Sequence, residues 1–111
     1  MIDNADFIAE LKYKTTEQGG RRTPAISGYR PQLKFDFTEI QTSGKQSFIG
    51  IDIVNPGETV LAKITMSSTI LYENKLDVGT EFEFREGSII IGIGKITNII
   101  NKSLKIKKAS T

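Results

Sequence analysis

Apolar and polar residues alternate with period two through much of the chain, which places apolar rows on one face of extended strands. Phe7, Ala9, Leu11 and Tyr13 alternate with Ile8, Glu10, Lys12 and Lys14. Leu33, Phe35 and Phe37 alternate with Lys34, Asp36 and Thr38 in the same way. The pattern predicts a further strand over Phe48–Val54, with Ile49, Ile51 and Ile53 in one row. Another has Val60, Ala62, Ile64 and Met66 against Leu61, Lys63 and Thr65. Glu81–Phe84 and Ser88–Ile99 complete the set, joined through Arg85-Glu86-Gly87 as a hairpin turn. No stretch has a convincing helical period.

Turn residues separate these runs. Asn55-Pro56-Gly57-Glu58 has proline then glycine at its centre, the order a type II turn favours. Six short strands parted by such turns predict an all-β protein, a barrel or a sandwich, and a closed antiparallel barrel leaves no exposed edge. Gly92-Ile93-Gly94 lies within a strand, where glycines two apart share a face and admit a bulky neighbour. A dinucleotide fingerprint would need a third glycine and a helix behind it.

Composition narrows the chemistry. With 111 residues the chain has room for one domain, and its lack of Cys and His removes disulfides, thiol catalysis, imidazole acid–base chemistry and the usual zinc ligand sets. No metal or cofactor is expected. Asn74-Lys75-Leu76-Asp77 matches the NKxD pattern of guanine readers, but no phosphate loop accompanies it, so it reads as a polar turn and no nucleotide is expected. Nothing in the spacing pairs two carboxylates against an apolar wall, so an enzyme is the weaker hypothesis. The N-terminus has no leader pattern and no window approaches a membrane span, which predicts a cytoplasmic protein.

The net charge is only +2, but its distribution is uneven. Between Gln18 and Phe35 the charged residues are Arg21, Arg22, Arg30 and Lys34, and Lys102 to Lys108 adds four lysines without an acid. Each segment is a candidate footprint for phosphate or, alternatively, a solvated loop and a frayed tail.

The first of these segments, EQGGRRTPAISGYRPQLKFDFTEI, resembles the loop and strand of the C-terminal barrel of bacterial elongation factor Tu, whose pattern reads GGR-x-TP then GYRPQ. Asn55-Pro56-Gly57-Glu58 is similar to the family's PGD turn, and Phe82 to Gly94 is similar to its FxIREGG…VGAG hairpin. The blocks keep family order over residues 6–100, leaving a basic tail over 101–111. This resemblance implies a six-stranded antiparallel barrel that is itself non-catalytic, packs on a GTPase domain, receives the exchange factor Ts and contacts the T stem of aminoacyl-tRNA. With Met1 only a few residues before the first strand, the GTPase and middle domains are expected to be missing.

On the resemblance, Gln32, Arg85, Glu86 and Gly87 fall at positions associated with the T stem, and Tyr29 and Arg30 complete GYRPQ. With the basic Arg21 and Arg22 they form the candidate RNA or partner-binding set. Gln, Arg and backbone amides suit the 2′-hydroxyls and phosphates of A-form RNA. Tyr29 and Arg30 also have a structural alternative, covering the barrel mouth and bonding loop carbonyls. Arg22 replaces the family's His, Ser88 its second Gly, and about four extra residues fall between Met66 and Gly79. The leading expectation is a non-enzymatic module that binds tRNA or a translation-related protein. The alternative is a decoy or regulator of the exchange factor, an elongation factor or a toxin, with no RNA bound.

Overall fold

A computed structural model describes residues 4–107. Eight strands follow in chain order: β1 Phe7–Tyr13, β2 Ala25–Ile26, β3 Gln32–Phe35, β4 Thr42–Phe48, β5 Ile53–Val54, β6 Thr59–Met66, β7 Glu81–Glu86 and β8 Ile89–Ile99. Six of them close an antiparallel barrel in the order β1-β6-β4-β3-β7-β8, and β2 pairs with β5 as a separate ribbon. Two single-turn 3₁₀ helices, Ile70–Tyr72 and Lys102–Leu104, lie outside the sheet.

The alternating rows predict which side chains fill the barrel. Phe7, Ala9, Leu11 and Tyr13 point inward with Leu33, Phe35, Ala62, Ile64, Phe82 and Phe84, and all are buried. Phe82 meets Phe7 edge-on at 5.7 Å and Phe35 at 5.3 Å, while Tyr13 meets Phe84 at 4.9 Å. Room for these rings comes from β8. A Cβ on Gly92 would lie 2.0 Å from Phe84 Cζ, which confirms the close approach read from the glycine pair. The Asn55–Glu58 turn also forms as expected, with Glu58 N donating to Asn55 O at 3.1 Å and Gly57 at φ 87°.

Three strand boundaries depart from the pattern. The strand expected over Phe48–Val54 is displaced toward the N-terminus as β4, and Ile49, Ile51 and Ile53 are exposed. Its inward row is Thr42, Gly44 and Gln46, too polar to betray itself by alternation, and Gly50 at φ 82° takes the chain out of the sheet. Strand β3 stops at Phe35, because Thr38 N bonds back to Phe35 O at 3.4 Å, and Phe37 is left half-exposed. The hairpin turns at Gly87-Ser88 rather than over Arg85–Gly87, since Glu86 still pairs with Ile89. Gly87 at φ 62° followed by a residue without positive φ is the order of a type II′ turn.

The tail is also not frayed where it is described. Leu104 is fully buried, and Ile106 N donates to Leu76 O at 2.9 Å. Lys108, the last of the tail lysines, lies outside the described residues.

Candidate functional site

The loop from Lys14 to Pro31 runs over one end of the barrel and is tied to the β7–β8 hairpin by side chains. One carboxylate oxygen of Glu86 accepts from the Tyr29 hydroxyl and from the Arg21 guanidinium. The guanidinium carbon sits 4.5 Å over the Tyr29 ring, a stacked geometry that suits a planar cation. Arg21 also donates from Nε to Thr23 O at 3.2 Å and from its terminal nitrogen to Pro24 O at 3.3 Å. Arg21, rather than Arg30, is therefore the arginine that bonds loop carbonyls.

Burial pushes the Tyr29 phenol above its usual pKa, as does its bond to Glu86, with Arg21 acting in the opposite direction. Burial works against the charge on Arg21, but its contacts with Tyr29 and Glu86 outweigh this and raise its pKa. Tyr29 thus stays a donor and Arg21 a cation at neutral pH. Since Glu86 is 44% exposed, the ion pair contributes at most about 1 kcal/mol. That is small beside the aromatic core, so the cluster positions the loop and does not hold the barrel together.

Beside this clamp, β3 supplies an outward row. Pro31, Leu33 and Phe35 are buried, so Arg30, Gln32 and Lys34 face the other way. Gln32 stands opposite Ser43 of β4 on one side and Arg85 of β7 on the other. Lys45 lies two residues along β4 on the same outer face as Ser43. Arg85 is held by Glu83, with Nε 3.1 Å from Oε1, and Lys34 pairs loosely with Glu39 at 3.9 Å. Arg30 and Arg22 are exposed and make no such contact among the described residues.

Of the eight predicted positions, Arg21, Tyr29 and Glu86 therefore form one cluster, and Gln32 and Arg85 are direct cross-strand neighbours. Gly87 makes the adjacent turn, and Arg30 extends the Gln32 row. Arg22 projects from the loop without joining either group. Lys45 was missed. Its signal, alternation with Gly44 and Gln46, was hidden by the weakly apolar inward row of β4.

The model of the elongation factor Tu C-terminal domain family matches residues 2–100. The chain belongs to that family. The matched stretch of this elongation factor Tu C-terminal domain takes in all the barrel strands and all eight predicted positions, whereas residues 101–107 fall beyond it.

Two other surfaces of the Tu-type barrel bear on function. A shallow groove over β1 and β8 is lined by Glu10, Lys12, Glu81 and Lys95, a mixed-charge lining that favours no polyanion. At the clamp end, Ile26 and Ile53 face outward as a cross-strand pair, with Ile51 and Ile49 exposed nearby and Ile49 N bonded to Leu61 O. No helix among the described residues is long and apolar enough to cross a membrane.

Proposed function

We propose that the outer face of β3, flanked by β4 and β7, binds tRNA, and that the domain acts as a non-enzymatic module of cytoplasmic translation. The observation that carries this reading is the row Arg30, Gln32 and Lys34 set between Lys45 and Arg85. Guanidinium and ammonium groups engage phosphates, and the Gln32 amide both donates to and accepts from a 2′-hydroxyl. The Glu86 clamp fixes the loop that leads into the row, so less ordering entropy is lost on binding.

The test is the affinity of tRNA for the domain across a salt series. Counterion release makes log K fall linearly with log salt, by about 0.9 per phosphate contact. Arg30→Ala, exposed and unpaired, is expected to weaken binding about tenfold without lowering the melting temperature. Affinity that does not change with salt would rule out RNA as the partner.

A second reading rests on the apolar pair Ile26 and Ile53 with Ile51 and Leu61. Exposed apolar surface of this kind suits a protein partner such as an exchange factor, an elongation factor or a toxin. Binding of a purified exchange factor that is abolished by Ile53→Asp and indifferent to Arg30→Ala would favour it.

A further inference from the structure

The lysines that follow β8 are held in place. Asp6 is buried, and its carboxylate accepts from Met66 N at 2.8 Å and from Asn101 Nδ2 at 3.1 Å. Asn101 in turn caps the following turn, accepting from Ser103 N at 3.2 Å. Leu104 then enters the barrel mouth beside Leu76, and its carbonyl accepts from Lys75 N and Leu76 N, each at 2.9 Å. With Leu104 inward, Lys102, Lys105 and Lys107 are left exposed, and Lys75 stands beside them.

None of these four lysines makes an ion pair among the described residues. Arg21, Lys34 and Arg85 on the β3 face are each paired with a glutamate, so the unneutralised cations are on the strap. The acids nearby are Glu73, which is exposed, and Asp77, whose Oδ1 accepts from Val78 N at 2.8 Å. Lys75 also connects the two regions. Its Nζ lies 5.9 Å over the ring of Phe37, three residues beyond Lys34 at the end of the outward row.

We propose that the strap over 101–107 and Lys75 form a second phosphate-binding site, continuous with the β3 row through Lys34 and Phe37, and that both engage one RNA. This rests on the tRNA reading for the identity of its ligand. The strap lies at the opposite end of β7 from the Gly87 turn, and six strand residues rise about 20 Å. A ligand touching both ends is a duplex of several base pairs. A mononucleotide is too short.

The experiment measures binding of the full chain to labelled tRNA across a salt series, comparing the triple variant K102Q/K105Q/K107Q with Arg30→Ala. All four side chains are exposed, so both variants should fold, as circular dichroism would verify. The triple variant is expected to weaken binding at least tenfold and to flatten the log K against log salt slope by about two. If it leaves both affinity and slope unchanged while Arg30→Ala weakens binding, the strap site is overturned and the β3 reading stands. If it abolishes binding while Arg30→Ala does nothing, the strap site stands and the β3 reading fails. Lysine-dependent binding to phosphatidylserine vesicles without RNA binding would overturn the strap site as an RNA site.

Discussion

The ring of Phe82 fills the space in which a side chain on Gly94 would begin, with Cζ 2.2 Å from where a Cβ would stand. The two residues are direct partners across β7 and β8, and Phe82 also touches Phe7 and Phe35. Gly94→Ala must therefore displace a ring that is held on two other sides. A loss of about 1–3 kcal/mol is expected, read from the urea midpoint. Adding Phe82→Leu to Gly94→Ala should recover part of it, and an unchanged midpoint for the single variant would contradict the packing described.

The Glu86 clamp makes a different prediction, because its members are partly exposed. Tyr29→Phe removes one donor to Glu86 but leaves Arg21 in place, so global stability should fall by no more than about 1 kcal/mol. The local effect is larger. The amides of Gly28 and Tyr29, bonded to Gln46 O and Ile26 O at 2.8 and 3.0 Å, should exchange with solvent faster than in the wild type. Equal exchange would show that the loop is ordered by something other than the clamp.

Tyr13 predicts how stability changes with alkali. Its phenol is buried and donates to Gln46 Oε1, and burial pushes its pKa well above the usual value of 10.0, with Tyr29 and Glu86 adding to the rise and Arg21 opposing it. The folded state therefore keeps a proton that the unfolded chain releases above pH 10. The stabilisation is complete below that pH and is lost as pH rises through it, at about 1.4 kcal/mol per pH unit for this one group. Urea unfolding at pH 8, 10 and 11 should show the decline. Tyr13→Phe should be less stable at pH 8, since Gln46 Oε1 loses its donor, yet have a shallower slope above pH 10.

The barrel was legible because most inward rows are strongly apolar, and wherever that held, as in β1, β6 and β7, the strand was placed within two residues. Strand β4 broke the rule. Its inward Gln46 is satisfied at Oε1 by Tyr13, a partner 33 residues away that no local pattern reveals, and the isoleucines read as its core face outward. The site was half legible for a related reason. The motif positions gave Gln32, Arg85 and Glu86, but the pairing of Arg21 with Glu86 spans 65 residues and depends on the hairpin register. That pairing separates positioning residues from free cations, and only the folded chain shows it. The tail lysines were visible as charge, whereas their attachment depends on Leu104 reaching a mouth formed by the turn around Leu76.

Leu104 gives the last prediction. It lies outside the stretch matched by the family model, yet it is as inaccessible as the barrel phenylalanines and packs where Leu76 and Tyr72 close the mouth. If the strap is part of the cooperative fold, Leu104→Ala should cost about 2–4 kcal/mol, as for a core leucine. If the strap instead docks reversibly on a finished barrel, the same change should free the strap and leave the barrel melting as before. Exchange of the Ile106 amide, bonded to Leu76 O at 2.9 Å, distinguishes the two. Cooperative behaviour requires its protection in the wild type to match that of β1 amides, and reversible docking requires it to be much lower. Asp6→Ala supplies an independent check. It removes the acceptor of Met66 N and Asn101 Nδ2, so it should lower the protection of Ile106 while Leu104 itself is unaltered.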